Sequence, residues 1–204
     1  MARLFSIRPT LSLKGRRSQG PRGFTGKPFH PPLTDFPIVC YVLAAVFDLI
    51  SFFSAADDPK AQDFFAAATF VMVAGFIVSL GAVLTGFMDW WKGIPRDRTS
   101  GPIGTAKHTQ VWRTINWHAT VMIAVTVITV IDLLLRIPNF DEAQTQVAWL
   151  VLSCAAALLV TFGAAYGGTL VFEYGFNVEN VDEVWNVSEE DHVRPDRRKK
   201  PPAT

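Results

Sequence analysis

The sequence predicts an all-α integral membrane protein with four transmembrane helices and both termini in the cytoplasm. Two observations predict this fold. First, the chain has four apolar runs, and each reaches the roughly 20 residues that cross a bilayer. Second, seventeen of the nineteen Lys and Arg residues lie in the N-terminal arm, the middle loop and the C-terminal tail. Only Lys60 and Arg136 lie in the other two connections. This alternation is the positive-inside bias of a membrane protein, and a soluble helical bundle has no reason to show it. The four runs are Phe36–Ala56, Phe64–Trp91, Ile115–Leu135 and Val147–Phe172.

The apolar runs divide the chain into three predicted parts. Residues 1–27 form a basic cytoplasmic arm without an acidic residue, residues 28–178 a transmembrane domain, and residues 179–204 a polar tail. The arm lacks the apolar stretch of a secretory signal, and a mitochondrial presequence is the alternative interpretation. The segments outside the membrane are too short for a catalytic domain. We therefore expect no enzyme activity, anionic lipids as partners of the basic segments at the cytoplasmic face, and no nucleic-acid partner.

Two features suggest that the domain is a duplicated hairpin. The first and third helices each carry an Asp near the end that is predicted to be external, and the second and fourth each carry a Gly-x4-Gly pair near the cytoplasmic end. Parallel repeats of this kind are common in membrane proteins. The matching residues are Asp48 with Asp132, and Gly81 and Gly86 with Gly163 and Gly168.

Asp48 and Asp132 are predicted to share one cation. Arg136 follows Asp132 by one helical turn, which favours an ion pair, and Asp48 is expected at the same depth. A proton or ion path would need carboxylates through the midplane as well, and the run Val147–Phe172 has none. Transport is therefore the third choice of function.

A second set of polar residues is predicted near the cytoplasmic ends of the helices. Ionisable residues in membrane helices usually face the bundle interior and suggest a functional site. One interpretation is a structural polar cluster in which these groups pair with each other. The other is a b-type haem with His30 and His118 as axial ligands. The set comprises His30, Asp35, Asp89, Asn116, His118 and Glu173.

The sequence around the two histidines weakens the haem interpretation. Pro31 and Pro32 follow His30 directly and predict that it lies in an extended segment before the first helix. Met122, one turn after His118, is a conceivable second ligand but is expected to pack. No short ligand spacing such as His-x3-His is present, so no metal site is predicted.

Tryptophans concentrate at the same predicted level. Their amphipathic rings anchor helices in the headgroup region, and a stacked quinone or pigment is the functional alternative. The residues are Trp90, Trp91, Trp112 and Trp117.

Four segments resemble the bacterial membrane family called domain of unknown function 2231. They are Gly26-Lys-Pro-Phe-His-Pro-Pro-Leu-Thr-Asp-Phe-Pro-Ile38, Leu84-Thr-Gly-Phe-Met-Asp-Trp90, Asn116-Trp-His118 and Tyr166-Gly-Gly-Thr-Leu-Val-Phe-Glu-Tyr-Gly-Phe-Asn-Val178. The resemblance implies a four-helix membrane domain, sometimes joined to a Rieske iron-sulfur domain, with no established activity. The chain departs from the family pattern at Thr34 and Asp35, where a second His is often found, and it has no Cys-His pair for a cluster.

Taken together, these patterns favour a non-enzymatic accessory subunit of a larger electron-transfer or photosynthetic membrane complex in the bacterial inner membrane, with other membrane subunits as partners. No cofactor is expected under that interpretation. The alternative is a haem- or quinone-binding membrane electron carrier that uses His30 and His118.

Overall fold

The computed structural model describes residues 28–93 and 110–177. These residues form four α-helices: α1 (His30–Phe53), α2 (Pro59–Gly93), α3 (Gln110–Arg136) and α4 (Val147–Phe172). A short 3₁₀ turn, Ile137–Asn139, follows α3. All four helices are long and apolar enough to cross a membrane, as the sequence predicts. The basic arm and the C-terminal tail lie outside the described residues, and the cytoplasmic location of the termini stays a prediction.

The start of α1 corrects one prediction. His30 is not in an extended segment before the helix but is the first residue of α1, with Pro31 and Pro32 in the first turn. The first backbone N–H groups of a helix have no partner within it, so a proline there removes no hydrogen bond. The two prolines therefore begin the helix instead of delaying it.

The helices pack as two antiparallel hairpins. α1 packs extensively on α2 and α3 packs on α4, and the hairpins meet mainly where α1 lies against α4. α2 and α3 touch much less. The duplication of one hairpin, which the sequence suggests, stays a prediction.

The interior of the bundle is small and close-packed. Its buried apolar core contains Tyr41, Ala44, Met72, Val125, Leu133 and Val160. Gly75 allows α1 and α2 to approach closely, since a Cβ at this position would lie 2.6 Å from the Cys40 Cβ. Small residues at helix contacts are typical of membrane proteins, in which lipid gives helices no hydrophobic reason to associate.

The outer surface is as apolar as the interior. Large hydrophobic side chains point outward along every helix, among them Phe70 on α2 and Leu158 on α4, which is 73% exposed. In water such a surface would be far too apolar for a monomer. A lipid environment satisfies it, which supports the transmembrane assignment.

We name the two ends of the bundle by their polar residues. The His end is the end at which His30 and His118 lie. The Arg end is the opposite end, at which Asp48, Asp132 and Arg136 lie.

Candidate functional site

The most distinctive feature of the His end is a pair of histidines from the two hairpins. His30 of α1 bonds through Nδ1 to the Ala82 carbonyl of α2, at 2.9 Å. His118 of α3 bonds through Nδ1 to the Gly163 carbonyl of α4, also at 2.9 Å. A carbonyl oxygen only accepts hydrogen bonds, so each Nδ1 is the protonated nitrogen, and in a neutral ring Nε2 keeps its lone pair.

The two imidazole rings, one from each hairpin, contact each other in a T-shaped arrangement. Their centroids are 6.1 Å apart, and the ring planes are nearly perpendicular, at 84°. Both side chains are half-buried. The hydrogen bonds to α2 and α4 fix each ring on its own hairpin, so the separation of the rings is set by how the hairpins pack.

A glycine lies beside each histidine at a repeated spacing. Gly86 follows the acceptor Ala82 by one turn, and a Cβ at Gly86 would lie 2.6 Å from His30 Cε1. Gly167 follows the acceptor Gly163 by one turn, and a Cβ there would lie 3.3 Å from His118 Cε1. Each hairpin therefore repeats one unit: a histidine, a carbonyl acceptor, and a glycine one turn later that leaves room for the ring.

The other residues of the predicted polar layer do not all join this pair. Asp35 and Glu173 are exposed, whereas Asp89 is buried on α2. Asn116 accepts a hydrogen bond from the Trp90 indole at 3.2 Å and so connects α3 to α2. The predicted layer thus separates into the histidine pair, a contact between α2 and α3, and two surface carboxylates.

Asn116 also fixes one of the tryptophans of the predicted belt. Its amide donates to the Trp112 carbonyl at 2.6 Å, which orients the side chain toward Trp90. On α2, the rings of Phe87, Trp90 and Trp91 lie within about 6 Å of one another, at 5.9, 6.0 and 6.2 Å between centroids. This aromatic cluster marks the headgroup level of the His end.

Met122, the conceivable second ligand of His118, packs instead. It lies against the apolar core, and its Sδ would be 2.7 Å from a Cβ at Gly163. The thioether therefore fills the space that this glycine leaves on α4.

The Arg end contains a buried ion cluster, and the sequence predicts its three members. The Arg136 guanidinium bonds both oxygens of Asp48, at 2.8 and 2.5 Å, across from α3 to α1. It also bonds both oxygens of Asp132 one turn earlier on its own helix, at 2.8 and 3.1 Å. All three residues are fully buried. The predicted sharing of one cation by two carboxylates is confirmed.

Neutral groups from every other element complete the cluster. Arg136 also donates to the Trp149 carbonyl of α4 at 3.2 Å, and its guanidinium carbon lies 5.8 Å from the Phe65 ring centroid of α2. The Thr145 hydroxyl donates to Asp48 at 2.9 Å. The bonds between Arg136 and the two carboxylates are charge-assisted and bidentate, which makes them strong. Together with the contacts to Phe65 and Trp149, they join all four helices at one level.

Sequence reasoning missed two residues that tie the connections to this cluster. The backbone N–H of Thr145 donates to the Ser51 hydroxyl at 2.9 Å, and Ser51 in turn donates to the Ala61 carbonyl at 2.6 Å. Both contacts join segments distant in sequence. No local sequence pattern predicts the roles of Ser51 and Thr145, because Ser and Thr are common in membrane proteins.

Comparison with known proteins identifies a family. The family model described as "Predicted membrane protein (DUF2231)" matches residues 26–180. Neither the curated proteins nor the solved structures contain a significant match. The matched range covers all four helices, both histidines and the ion cluster. The chain therefore belongs to the DUF2231 family of predicted membrane proteins.

Proposed function

We propose that this protein is a membrane electron carrier that binds one b-type haem between His30 and His118. The observation that carries the proposal is the separation of the two imidazole rings, 6.1 Å between centroids. Two imidazoles from different hairpins at this separation are close enough to hold one haem together, and histidine is an established ligand of haem iron. A direct hydrogen bond between the rings would bring the centres to about 5 Å.

The hydrogen bonds of the two rings support the same assignment. Histidines that bind a metal almost always donate their other N–H to a carbonyl, a carboxylate or water, which fixes the tautomer and the ring orientation. His30 and His118 both make such a bond, to Ala82 and Gly163. This leaves Nε2 of each as the ligand nitrogen.

The number of ligands favours a haem over a bare metal ion. Within residues 28–93 and 110–177, no group of three His, Cys, Asp or Glu side chains is placed to hold a metal. A zinc ion takes three or four protein ligands. A porphyrin supplies four nitrogens itself and needs only the two axial ligands that a histidine pair offers.

The ligand set also favours one kind of chemistry. A haem supplies a one-electron couple at its iron. With both His30 and His118 holding it, a haem would exchange electrons rather than bind oxygen or a substrate, so electron transfer is the activity that this site fits.

The proposed localisation is the bacterial cytoplasmic membrane, with the His end toward the cytoplasm. The charge alternation of the sequence supports this orientation. The chain would then exchange electrons close to the cytoplasmic face, as a subunit of a larger membrane complex. The basic arm and tail are the segments proposed to hold it to its partner subunits and to anionic lipids. A quinone on the aromatic cluster is the alternative electron-transfer ligand, and small-molecule transport is the weakest candidate.

The deciding experiment is an absorption spectrum of the full chain, purified after expression with a haem precursor. We expect a Soret band and a sharp α-band on reduction, at one haem per chain. His30→Ala and His118→Ala should each lose this signal, whereas His192→Ala, in the tail, should keep it. Circular dichroism and elution volume in detergent control for folding of each variant. A well-folded wild-type protein without stoichiometric haem would refute the proposal, and extraction of a bound quinone would then favour the alternative.

A further inference from the structure

Beyond the proposed haem site, α3 presents a lipid-facing groove at the His end. The groove is lined by Trp112, Arg113, Asn116, Trp117 and Thr120. It combines a guanidinium, a hydroxyl and indole rings on a face that otherwise carries only apolar side chains. The groove is open to the outside and does not reach the histidines, because Asn116 and His118 point to different sides of α3.

The cation of this groove has no counter-charge within the part of the chain that the structure describes. Arg113 is exposed and forms no ion pair among residues 28–93 and 110–177. This contrasts with Arg136, which is fully buried against two carboxylates. A guanidinium at headgroup level binds phosphate well, since its planar array of donors matches the phosphate oxygens.

The hydroxyl of Thr120 is the second, independent observation. Several other threonines on these helices bond back to a carbonyl of their own helix, as Thr114 does to Gln110, Thr126 to Met122 and the lipid-facing Thr161 to Ala157. The buried hydroxyl of Thr129 on α3 is an exception. Thr120 is exposed and, among the described residues, makes no such bond. A hydroxyl that faces lipid without a partner is costly unless a ligand bonds it.

An apolar stripe continues from the groove along the same face of α3. Its members follow Thr120 at helical spacing and point outward, so they form one straight track toward the middle of the membrane. The distance from Thr120 to Ile131 along the helix is about 16 Å, close to half of the hydrocarbon thickness. The exposed residues are Ile123, Val127, Ile131 and Leu134.

We propose that this groove is a binding site for one anionic phospholipid. Arg113 binds the headgroup phosphate, Thr120 donates to the ester region one level deeper, and an acyl chain lies on the track from Ile123 to Ile131. Trp117, which is 60% exposed, packs against the glycerol region, where amphipathic rings are favoured. A zwitterionic lipid offers the same phosphate but no net negative charge, so the exposed guanidinium selects an anionic headgroup.

The test compares lipids on the purified full chain in a mild detergent. Thermal stability and native mass spectrometry are measured with added phosphatidylglycerol or with phosphatidylcholine of the same acyl chains. We expect one retained phosphatidylglycerol per chain and about fivefold tighter binding than of phosphatidylcholine, the selectivity of one basic residue near the headgroups.

Matched variants separate this site from a general charge effect. Arg113→Gln should abolish the preference for the anionic lipid, and Thr120→Val should weaken binding of both lipids. Lys60→Gln, an exposed cation at the Arg end, and Thr161→Val, a lipid-facing threonine with its own carbonyl partner, should change neither. Equal binding of both lipids by the wild type would overturn the proposal. An equal loss of phosphatidylglycerol binding in Arg113→Gln and Lys60→Gln would also overturn it. So would a thermal stabilisation by glycerol phosphate alone that matched the stabilisation by phosphatidylglycerol.

Discussion

Removal of the Arg136 guanidinium is expected to be the most damaging single substitution in the Arg end. Arg136→Met preserves most of the side-chain volume and removes the charge. Asp48 and Asp132, both fully buried, then lose the cation that each bonds with both oxygens. Breaking a buried ion pair from one side costs about 3–5 kcal/mol, because an uncompensated charge stays behind.

This cost translates into a large shift in thermal stability. For a chain of this size the expected fall in Tm is roughly 10 °C. The assay is a thermal melt in detergent, followed by the fraction of protein that still elutes as a monodisperse peak. Lys60→Met is the matched control, since Lys60 is an exposed cation at the same end of the bundle, and the Tm of this variant should stay close to that of the wild type.

A second variant tests the reason for the loss rather than its size. Replacing all three charges, as Asp48→Asn, Asp132→Asn and Arg136→Met together, removes the uncompensated carboxylates as well. It should therefore be more stable than Arg136→Met alone. If Arg136→Met melted with the wild type, or if the triple variant were the less stable of the two, the charge argument would be wrong.

Three further predictions concern the histidine pair, the topology and the assembly. Gly86→Ala should displace the His30 ring, because the added Cβ would lie 2.6 Å from Cε1. We therefore expect this variant to bind less haem per chain. The control is Gly81→Ala, where the nearest atom is 3.7 Å away, and it should bind as much haem as the wild type. Equal haem content in both glycine variants would contradict this. Mild solubilisation should leave the protein in a complex much larger than its 22.6 kDa, and deletion of residues 1–25 should weaken that complex; a functional monomer indifferent to the deletion would argue against a subunit role. Cysteines that replace Ser12, Ser100 or Thr204 should be protected from a membrane-impermeant reagent when intact cells are labelled. Labelling of any of them from outside would contradict the predicted topology.

The sequence alone is sufficient to predict the four helices and the ion cluster of the Arg end. Twenty-residue apolar runs leave little choice of structure in a membrane, because every backbone polar group must be bonded within its own helix. Asp132 and Arg136 are one turn apart, and Asp48 lies at the matching depth of a parallel helix, so a shared ion pair was the favourable solution for all three.

The His end was harder to predict, and the reasons are physical. The partners of His30 and His118 are backbone carbonyls of Ala82 and Gly163, and a backbone acceptor leaves no signal in the residue type. The prolines after His30 predict an extended segment, yet the same backbone restriction is compatible with a helix that begins at this position. Whether two rings come within 6.1 Å depends on how two hairpins dock, which only the tertiary structure contains.

The repeated histidine, carbonyl and glycine unit has a consequence for how a flat, nearly symmetric ligand is inserted. The haem proposed above would lie between two nearly equivalent half-sites. It could therefore enter in two orientations that exchange its faces, and the repeat would make the two almost equal in free energy. Only the positions that break the repeat can select between them. The tighter clearance at Gly86 than at Gly167, 2.6 against 3.3 Å to the neighbouring ring, is such an asymmetry. If the two hairpins arose by duplication, later divergence of the two halves would set the single orientation in which the proposed haem is held.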